Sequence, residues 1–272
     1  MPVLALAGAF LFAFIAYCGL YLIGRPPRMV AVKHNQLVGP FLAGFMVWML
    51  GPIERLLIGR VAPNAITAVS LLLCALTGVA AAFGQLHGAI YFYVFAGVLD
   101  ILDGRLARIC GKQTAAGALF DSVSDRWGEL FVFAGYAWLL HESVWLLAVI
   151  GAFGASMMVS YTRARAEGLG IELSGGVMQR AERIILVVGG TLIAVLYDTD
   201  AIETVLGFTM LICTATSTAT AINRWIHAFR ELAKREAEPV VVETPTAMPL
   251  PAPLASLSAS PDLRKVRPIE QH

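Results

Sequence analysis

Seven long apolar runs divide the chain, and each is close to the length that crosses a lipid bilayer. A helix needs about 20 apolar residues to cross a hydrocarbon layer of about 30 Å. Unsatisfied backbone groups are costly in lipid and the runs lack the alternation of barrel strands, so we predict helices. The predicted spans cover residues 3–24, 62–84, 88–109, 117–140, 144–162, 182–197 and 204–226. A shorter run, residues 41–50, lies between Pro40 and Pro52 and is predicted to be an interfacial helix.

The composition agrees with a membrane protein and excludes other classes. Of the 272 residues, 58% are hydrophobic and only 14% are charged, whereas soluble proteins carry about 25% charged residues. The net charge of +1 leaves no basic excess for binding nucleic acid. We therefore predict an integral membrane protein with no nucleic-acid partner.

Lys and Arg are distributed unevenly between the two sets of loops. Residues 84–88, 141–143 and 197–204 contain neither Lys nor Arg, so all 20 basic residues fall on the other side. Since basic loops stay in the cytoplasm, that side is predicted to be cytoplasmic. The expected location is a bacterial inner membrane, with the basic loops facing the cytoplasm.

These observations predict four segments. Residues 1–35 form an N-terminal membrane anchor and residues 36–61 an interfacial juxtamembrane helix. Residues 62–230 form a six-helix transmembrane bundle. Residues 231–272 form a disordered cytoplasmic tail, because residues 239–272 contain seven of the 13 prolines. The predicted fold is therefore an all-α integral membrane protein of six helices plus one extra N-terminal transmembrane helix and an interfacial helix.

Four carboxylates lie in the predicted membrane helices, where ionisable residues are costly and usually functional. Asp100 and Asp103 share a face of one helix, and Asp121 and Asp125 form a stripe on the next. Four converging carboxylates cannot all stay ionised without a cation. Oxygen ligands alone favour a hard cation such as Mg²⁺ or Mn²⁺, whose shell is often completed by substrate phosphates. The sequence therefore predicts a metal site for a phosphate-containing substrate.

The spacing around these carboxylates is D-x-x-D-G-x-x-A-R-x8-G-x-x-x-D-x-x-x-D. All eight fixed positions match the signature of the CDP-alcohol phosphotransferase family, which the chain resembles over about residues 62–230. The matching residues are Asp100, Asp103, Gly104, Ala107, Arg108, Gly117, Asp121 and Asp125.

The resemblance implies a homodimeric six-helix membrane enzyme that displaces CMP from a CDP-linked alcohol such as CDP-diacylglycerol. It assigns Asp100, Asp103 and Asp121 to a pair of Mg²⁺ or Mn²⁺ ions. Asp125 would be the general base and would also touch one metal. The implied CDP-alcohol pocket contains Gly104, Ala107, Arg108 and Gly117. Asn64 and Thr67, at the entry to the preceding helix, are also expected to contact the nucleotide, although a plain helix start explains them equally well.

Arginines in a second predicted cytoplasmic loop indicate the identity of the acceptor, the second alcohol whose hydroxyl displaces CMP. Residues 160–170 and 179–183 resemble the phosphatidylinositol-phosphate synthase branch of the family and its archaeal ether-lipid relatives. The resemblance assigns Arg165, Arg180 and Arg183 to the phosphate of a phosphorylated alcohol, for which inositol phosphate is the first candidate. Arg163 lies close to them in the sequence. Guanidinium groups suit a phosphate dianion. Positive-inside anchoring is the alternative explanation for these arginines.

Other functions stay open at this point. Glycerol-3-phosphate is the second candidate acceptor, which would make the product phosphatidylglycerophosphate, and an unphosphorylated alcohol is the third. A cation or proton transporter also carries carboxylates in its helices. It would hold them near the midplane, however, whereas here they lie beside Arg108 and Arg126 at the inner edge.

Overall fold

The structure, a computed structural model, describes residues 2–23, 39–173, 176–196 and 201–237, and these ranges are helical without strands. The predicted all-α fold is confirmed for this part of the chain. The chain divides into two units, Met1–Leu232 and Ala233–His272, and of the second only residues 233–237 are described. The eight helices are α1 (Pro2–Leu22), α2 (Gly39–Leu57), α3 (Pro63–Ala82), α4 (Leu86–Ile109), α5 (Ala115–Leu139), α6 (Leu146–Glu167), α7 (Arg180–Leu196) and α8 (Ile202–Ala237).

Four of the described helices, α3, α4, α6 and α8, are long and apolar enough to cross a membrane. Helix α5 contains four charged residues, Asp121, Asp125, Arg126 and Glu129, and α7 has only 17 residues. The predicted count of six plus one spans therefore stays a prediction. Most of the basic segment after α1, the loop at residues 197–200 and the Pro-rich tail beyond residue 237 lie outside the described residues.

The short helix before the bundle lies within the predicted segment 36–61 but extends beyond the apolar run 41–50. The sequence pattern ended it before Pro52, but α2 continues through Pro52 to Leu57. A proline removes one backbone donor from a helix, but the turn after Pro52 contacts another helix. Glu54 in that turn forms a buried ion pair with Arg105 of α4, which supports the continued helix.

Helix α3 is central to the bundle, because it packs against both α4 and α5. Helix α4 also packs against α7, and α5 packs against α6. The core between them includes Tyr93, Val132, Tyr136 and Met210, all at most 2% exposed. The Tyr136 hydroxyl is 2.5 Å from Thr191 Oγ1. This packing brings the N-terminal ends of α3 and α7 next to the carboxylates of α4 and α5.

Two glycines allow α3 and α5 to approach within backbone contact. A Cβ atom added to Gly78 would overlap the carbonyl oxygen of Phe131, and one added to Gly135 would overlap the carbonyl oxygen of Gly78. Small residues at such crossings allow close packing of membrane helices. The crossing of α3 and α5 therefore depends on the missing side chains.

We expect Gly135→Ala to destabilise the bundle, because the new methyl group meets backbone atoms that cannot rotate away. Overpacking of this kind costs about 1–3 kcal/mol. Gly154→Ala on α6 is the matched control, since nothing lies within 4 Å of its added Cβ. Thermal unfolding in detergent should show a lower midpoint for Gly135→Ala alone. Equal midpoints for the two variants would contradict the close crossing.

Candidate active site

Three of the four predicted metal ligands converge at the facing surfaces of α4 and α5. One carboxylate oxygen from each of Asp100, Asp103 and Asp121 lies within 4.8 Å of the other two. Asp103 is 3% exposed, and the other two are partly buried. A buried group of carboxylate oxygens matches the ligand preference of a hard divalent cation. The donor set therefore fits the metal that the sequence predicts.

Thr67 connects α3 to this cluster. Its hydroxyl donates a 2.6 Å hydrogen bond to Asp103 Oδ2. Thr67 is itself 5% exposed, so this bond holds the Asp103 carboxylate in a fixed orientation. Thr67 was predicted to contact the nucleotide, and the structure gives it a contact with a metal-ligand candidate.

Asp125 lies beside the cluster and contacts two arginines. Arg180, the first residue of α7, donates through Nη1 to both Asp100 and Asp125. On the other side, Arg126 Nη1 is 3.7 Å from Asp125 Oδ2 and donates a 2.5 Å hydrogen bond to the Ser122 carbonyl. Asp100 and Asp125 thus approach the same guanidinium, which brings the fourth carboxylate next to the other three.

The residues predicted for the CDP-alcohol pocket surround the same end of the bundle. Asn64 Oδ1 lies 3.4 Å from the position of a Cβ on Gly117, and the Arg108 guanidinium nitrogens lie 3.5 and 3.8 Å from that of Gly104. Arg108 Nε is buried without a hydrogen-bond partner among the described residues. Ala107 is partly buried on the same helix. The small residues Gly104, Ala107 and Gly117 leave space beside the Arg108 guanidinium, which is able to bind an oxyanion.

The three arginines predicted for the acceptor have different surroundings in the structure. Arg165 is exposed on α6 and lines a groove of about 700 Å³ between α6 and α8. Arg180 contacts the carboxylates. Arg183 is 3% exposed and all three of its nitrogens have partners, because Nε and Nη2 contact Glu129 and Nη1 donates to the Met178 carbonyl at 3.1 Å. Arg183 therefore joins α7 to α5 instead of facing an open subsite.

The acidic residues near these arginines also have partners. Glu129 on α5 pairs with Arg183 on α7, whereas Glu167 pairs with Arg163 at 2.8 Å within α6. Glu182 accepts a hydrogen bond from the Gln179 backbone N–H at 3.2 Å, before the start of α7.

Sequence reasoning missed two contacts of this site. It did not link Arg180 to Asp100 and Asp125, which are 80 and 55 residues away in the chain. It also passed over Arg224 on α8, which is 7% exposed, donates a 2.9 Å hydrogen bond to the Val159 carbonyl and lies beside Gly176. The available signal for Arg224 was its position inside the predicted span 204–226, because charged residues are costly in a membrane.

The chain belongs to the CDP-alcohol phosphatidyltransferase family, whose pattern it matches over residues 60–229. This range contains all eight signature residues and begins after α2. The family identified from the spacing of the aspartates is thereby confirmed. Family membership and the four apolar helices indicate an integral membrane protein.

Similar proteins include lipid synthases from archaea and bacteria. The chain is 32% identical to the archaetidylinositol phosphate synthase of Methanothermobacter thermautotrophicus over 61% of its own length and 83% of the relative. It is 29% identical to the phosphatidylinositol phosphate synthase of Streptomyces avermitilis, over 75% of this chain and 87% of the relative.

The fold is similar to crystal structures of the phosphatidylinositol phosphate synthase of Mycobacterium tuberculosis. The complex with CDP-DAG gives a TM-score of 0.59 at 26% identity, covering 67% of this chain and 94% of that one. The complex with manganese and citrate gives 0.58 at 26% identity, covering 65% and 88%.

Proposed function

We propose that this protein is a metal-dependent CDP-alcohol phosphatidyltransferase that transfers the phosphatidyl group of CDP-diacylglycerol to a hydroxyl of inositol phosphate and releases CMP. The observation that carries the proposal is the convergence of Asp100, Asp103 and Asp121 beside Asp125. The names of the relatives support the donor and acceptor, since they are archaetidylinositol and phosphatidylinositol phosphate synthases. The similar Mycobacterium tuberculosis enzyme was crystallised with CDP-DAG.

Asp100, Asp103 and Asp121 are the residues that would hold the divalent cation, and Asp125 would complete a site for two ions. When bound, Mg²⁺ or Mn²⁺ supplies charge neutralisation to the diphosphate and to the leaving CMP. Thr67 keeps the Asp103 carboxylate oriented through its hydroxyl. A fixed ligand reduces the reorganisation needed when substrate binds.

Asp125 is proposed to take the proton from the attacking acceptor hydroxyl. The new bond forms between that hydroxyl oxygen and the lipid-bearing phosphorus, the bond from this phosphorus to the CMP oxygen breaks, and CMP leaves with the electron pair. Arg108 is proposed to bind the diphosphate through its unpartnered Nε edge. Gly104, Ala107, Gly117 and Asn64 are proposed to line the pocket around it.

Arg165 and Arg180 are the proposed contacts for the acceptor phosphate. Arg180 is well suited, because its Nη1 contacts the carboxylates while its Nε is buried without a partner among the described residues. Arg183, which pairs with Glu129, is proposed to support them by holding the first turn of α7. An arginine fork would favour a phosphorylated acceptor over free inositol.

We also propose how the segments of the chain are arranged at the membrane. Helices α3–α8 would form the six-helix transmembrane domain over residues 62–230, with α1 as an additional span in the anchor of residues 1–35 and α2 in the interfacial segment of residues 36–61. Residues 231–272 would be a cytoplasmic tail. The protein would be a homodimer in the bacterial inner membrane, with its aspartates at the cytoplasmic face.

An acceptor panel tests the proposed reaction directly. Membranes that contain the full chain would receive radiolabelled CDP-diacylglycerol with inositol phosphate, glycerol-3-phosphate, free inositol or serine. CMP release and lipid chromatography give rate and product. We expect inositol phosphate to be the best acceptor. Equal use of free inositol or serine would contradict the acceptor assignment, and a lack of CMP release with every acceptor would contradict the reaction class.

Arg165→Ala is the cleanest single test of the acceptor contacts, because Arg165 makes no ion pair with the carboxylates in the described part of the chain. Losing a charge-assisted hydrogen bond costs about 1.5–3 kcal/mol, so the KM for inositol phosphate should rise roughly ten- to a hundred-fold. The KM for CDP-diacylglycerol should stay unchanged. Arg163→Ala serves as the control, since its partner is Glu167. If both KM values stay at the wild-type level, Arg165 is only a membrane-anchoring residue.

A further inference from the structure

A buried ion pair connects the N-terminal helices to the helix that carries the metal-ligand candidates. Arg105 of α4 donates through Nε and Nη2 to the two carboxylate oxygens of Glu54 on α2, the second contact measuring 3.1 Å. The two side chains are 7% and 8% exposed. Paired contacts of this kind fix the relative orientation of both groups. The ion pair therefore ties a defined point of α2 to a defined point of α4.

Arg105 lies at the edge of the proposed substrate-binding face of α4. It follows Gly104 directly and precedes Arg108 by three residues. At 100° per residue, Arg105 and Arg108 lie about 60° apart around the helix. Any rotation of α4 that moves Arg105 would move Arg108 by the same angle. The contact with Glu54 thus limits the rotation of the segment that faces the nucleotide.

Helix α2 is itself held by an aromatic cluster shared with α1. Tyr17 and Phe45 are 1% and 0% exposed, and their ring centroids are 5.5 Å apart. Phe14 contacts Phe45 at 5.2 Å, and Trp48 contacts Tyr17 at 5.8 Å. Aromatic pairs at these distances add to the stability of packing. Glu54 therefore projects from a supported helix.

This support lies outside the part of the chain that defines the family. The family match begins at residue 60, whereas α1 and α2 end at Leu22 and Leu57. The Glu54–Arg105 pair joins the two regions. Its negative partner also compensates the charge of Arg105, which leaves Arg108 as the neighbouring cation for a diphosphate.

We propose that Glu54 is a positioning residue for the CDP-lipid pocket, acting through Arg105 on the orientation of Gly104 and Arg108. The proposal rests on the proposed function, because it takes CDP-diacylglycerol as the ligand of that pocket. It gives the N-terminal extension a role in substrate affinity in addition to membrane anchoring.

Three variants and one control separate positioning from simple stabilisation. Glu54→Gln leaves Arg105 buried without its counter-charge. The double variant Glu54→Leu/Arg105→Met replaces the pair with apolar side chains, a change that often preserves stability. Arg105→Lys keeps the charge but not the two-nitrogen contact. Arg55→Gln, at the exposed neighbouring position on α2, is the control.

The full chain, purified in detergent, would be assayed for thermal midpoint, for the KM of both substrates through CMP release, and for equilibrium binding of CDP-diacylglycerol. We expect Glu54→Gln to lower the midpoint and to raise the CDP-diacylglycerol KM at least tenfold. The double variant should regain the midpoint but keep a KM at least fivefold above wild type. In all variants the KM for inositol phosphate should stay within twofold of wild type.

A wild-type CDP-diacylglycerol KM in the folded double variant would overturn the proposal, because a purely structural pair would then explain the single variant. If Glu54→Gln does not fold, Arg105→Lys is the variant that tests the proposal. A CDP-diacylglycerol KM within twofold of wild type for Arg105→Lys would also overturn it. A wild-type protein that releases no CMP would count against the proposed function alone. The ratio of CDP-diacylglycerol binding constants between wild type and variants would still test Glu54.

Discussion

Replacing Asp125 with asparagine is expected to abolish CMP release while leaving CDP-diacylglycerol bound. Asparagine keeps the shape of the side chain and can still accept a hydrogen bond from Arg180, but it cannot take a proton from the acceptor hydroxyl. Loss of a general base lowers rates by about 10²–10⁴-fold. Asp125 is not one of the three carboxylates that lie within 4.8 Å of one another, so most of the metal site should survive.

Turnover and binding must be measured on the same preparation of Asp125→Asn. Single-turnover CMP release gives the chemical step, and equilibrium binding gives the affinity for CDP-diacylglycerol. Glu167→Gln is a matched carboxylate-to-amide control at the end of α6, where Glu167 pairs with Arg163. The control should keep its activity. Turnover of Asp125→Asn within tenfold of wild type would show that another group takes the proton.

Removal of divalent cations is expected to stop the reaction completely and reversibly. The carboxylates of Asp100, Asp103 and Asp121 repel one another at their short separations, and only a cation allows all of them to contribute ionised oxygens to one substrate. Treatment with EDTA should end CMP release. Added Mg²⁺ or Mn²⁺ should restore it, and the dependence on concentration would give the affinity of the site.

Binding of Mn²⁺ can be followed separately from activity by electron paramagnetic resonance. Asp103→Asn should weaken binding, because it removes a ligand that Thr67 holds in place. Glu129→Gln would be a poor control, since Glu129 supports Arg183, whereas the exposed Glu142 offers a suitable one. Full activity after chelation, or Mn²⁺ binding unchanged in Asp103→Asn, would refute the metal assignment.

The convergence of Asp100, Asp103 and Asp121 could be predicted from the sequence because the geometry within each helix is local. Asp100 and Asp103 are one helical turn apart, as are Asp121 and Asp125, so helix periodicity alone sets each stripe. A short connection between α4 and α5 then brings the stripes face to face. Most predicted helix bounds were also close, because the apolar runs are long. Helices α6 and α8 are exceptions, since they continue beyond their apolar runs to Glu167 and Ala237. Residues 231–237 are therefore helical, although the disordered tail was predicted to begin at residue 231.

The partners of the arginines could not be predicted in the same way. Arg183 and Glu129 are 54 residues apart, and Arg105 and Glu54 are 51 apart. Helix packing across the bundle determines which of these residues pair. The periodicity of a single helix does not predict that packing. The continuation of α2 through Pro52 belongs to the same group, since the ion pair that supports its last turn depends on α4.

The close crossing of α3 and α5 sets the direction in which both helices extend to the candidate site. Gly78 is 14 residues from Asn64, and Gly135 is 14 residues from Asp121, so each helix extends about 21 Å from the crossing to the site. Over that arm, a tilt of about 5° displaces the helix end by about 2 Å. Substitutions at these glycines, about 21 Å from the candidate site, should therefore change the shape of the proposed nucleotide pocket even in protein that still folds.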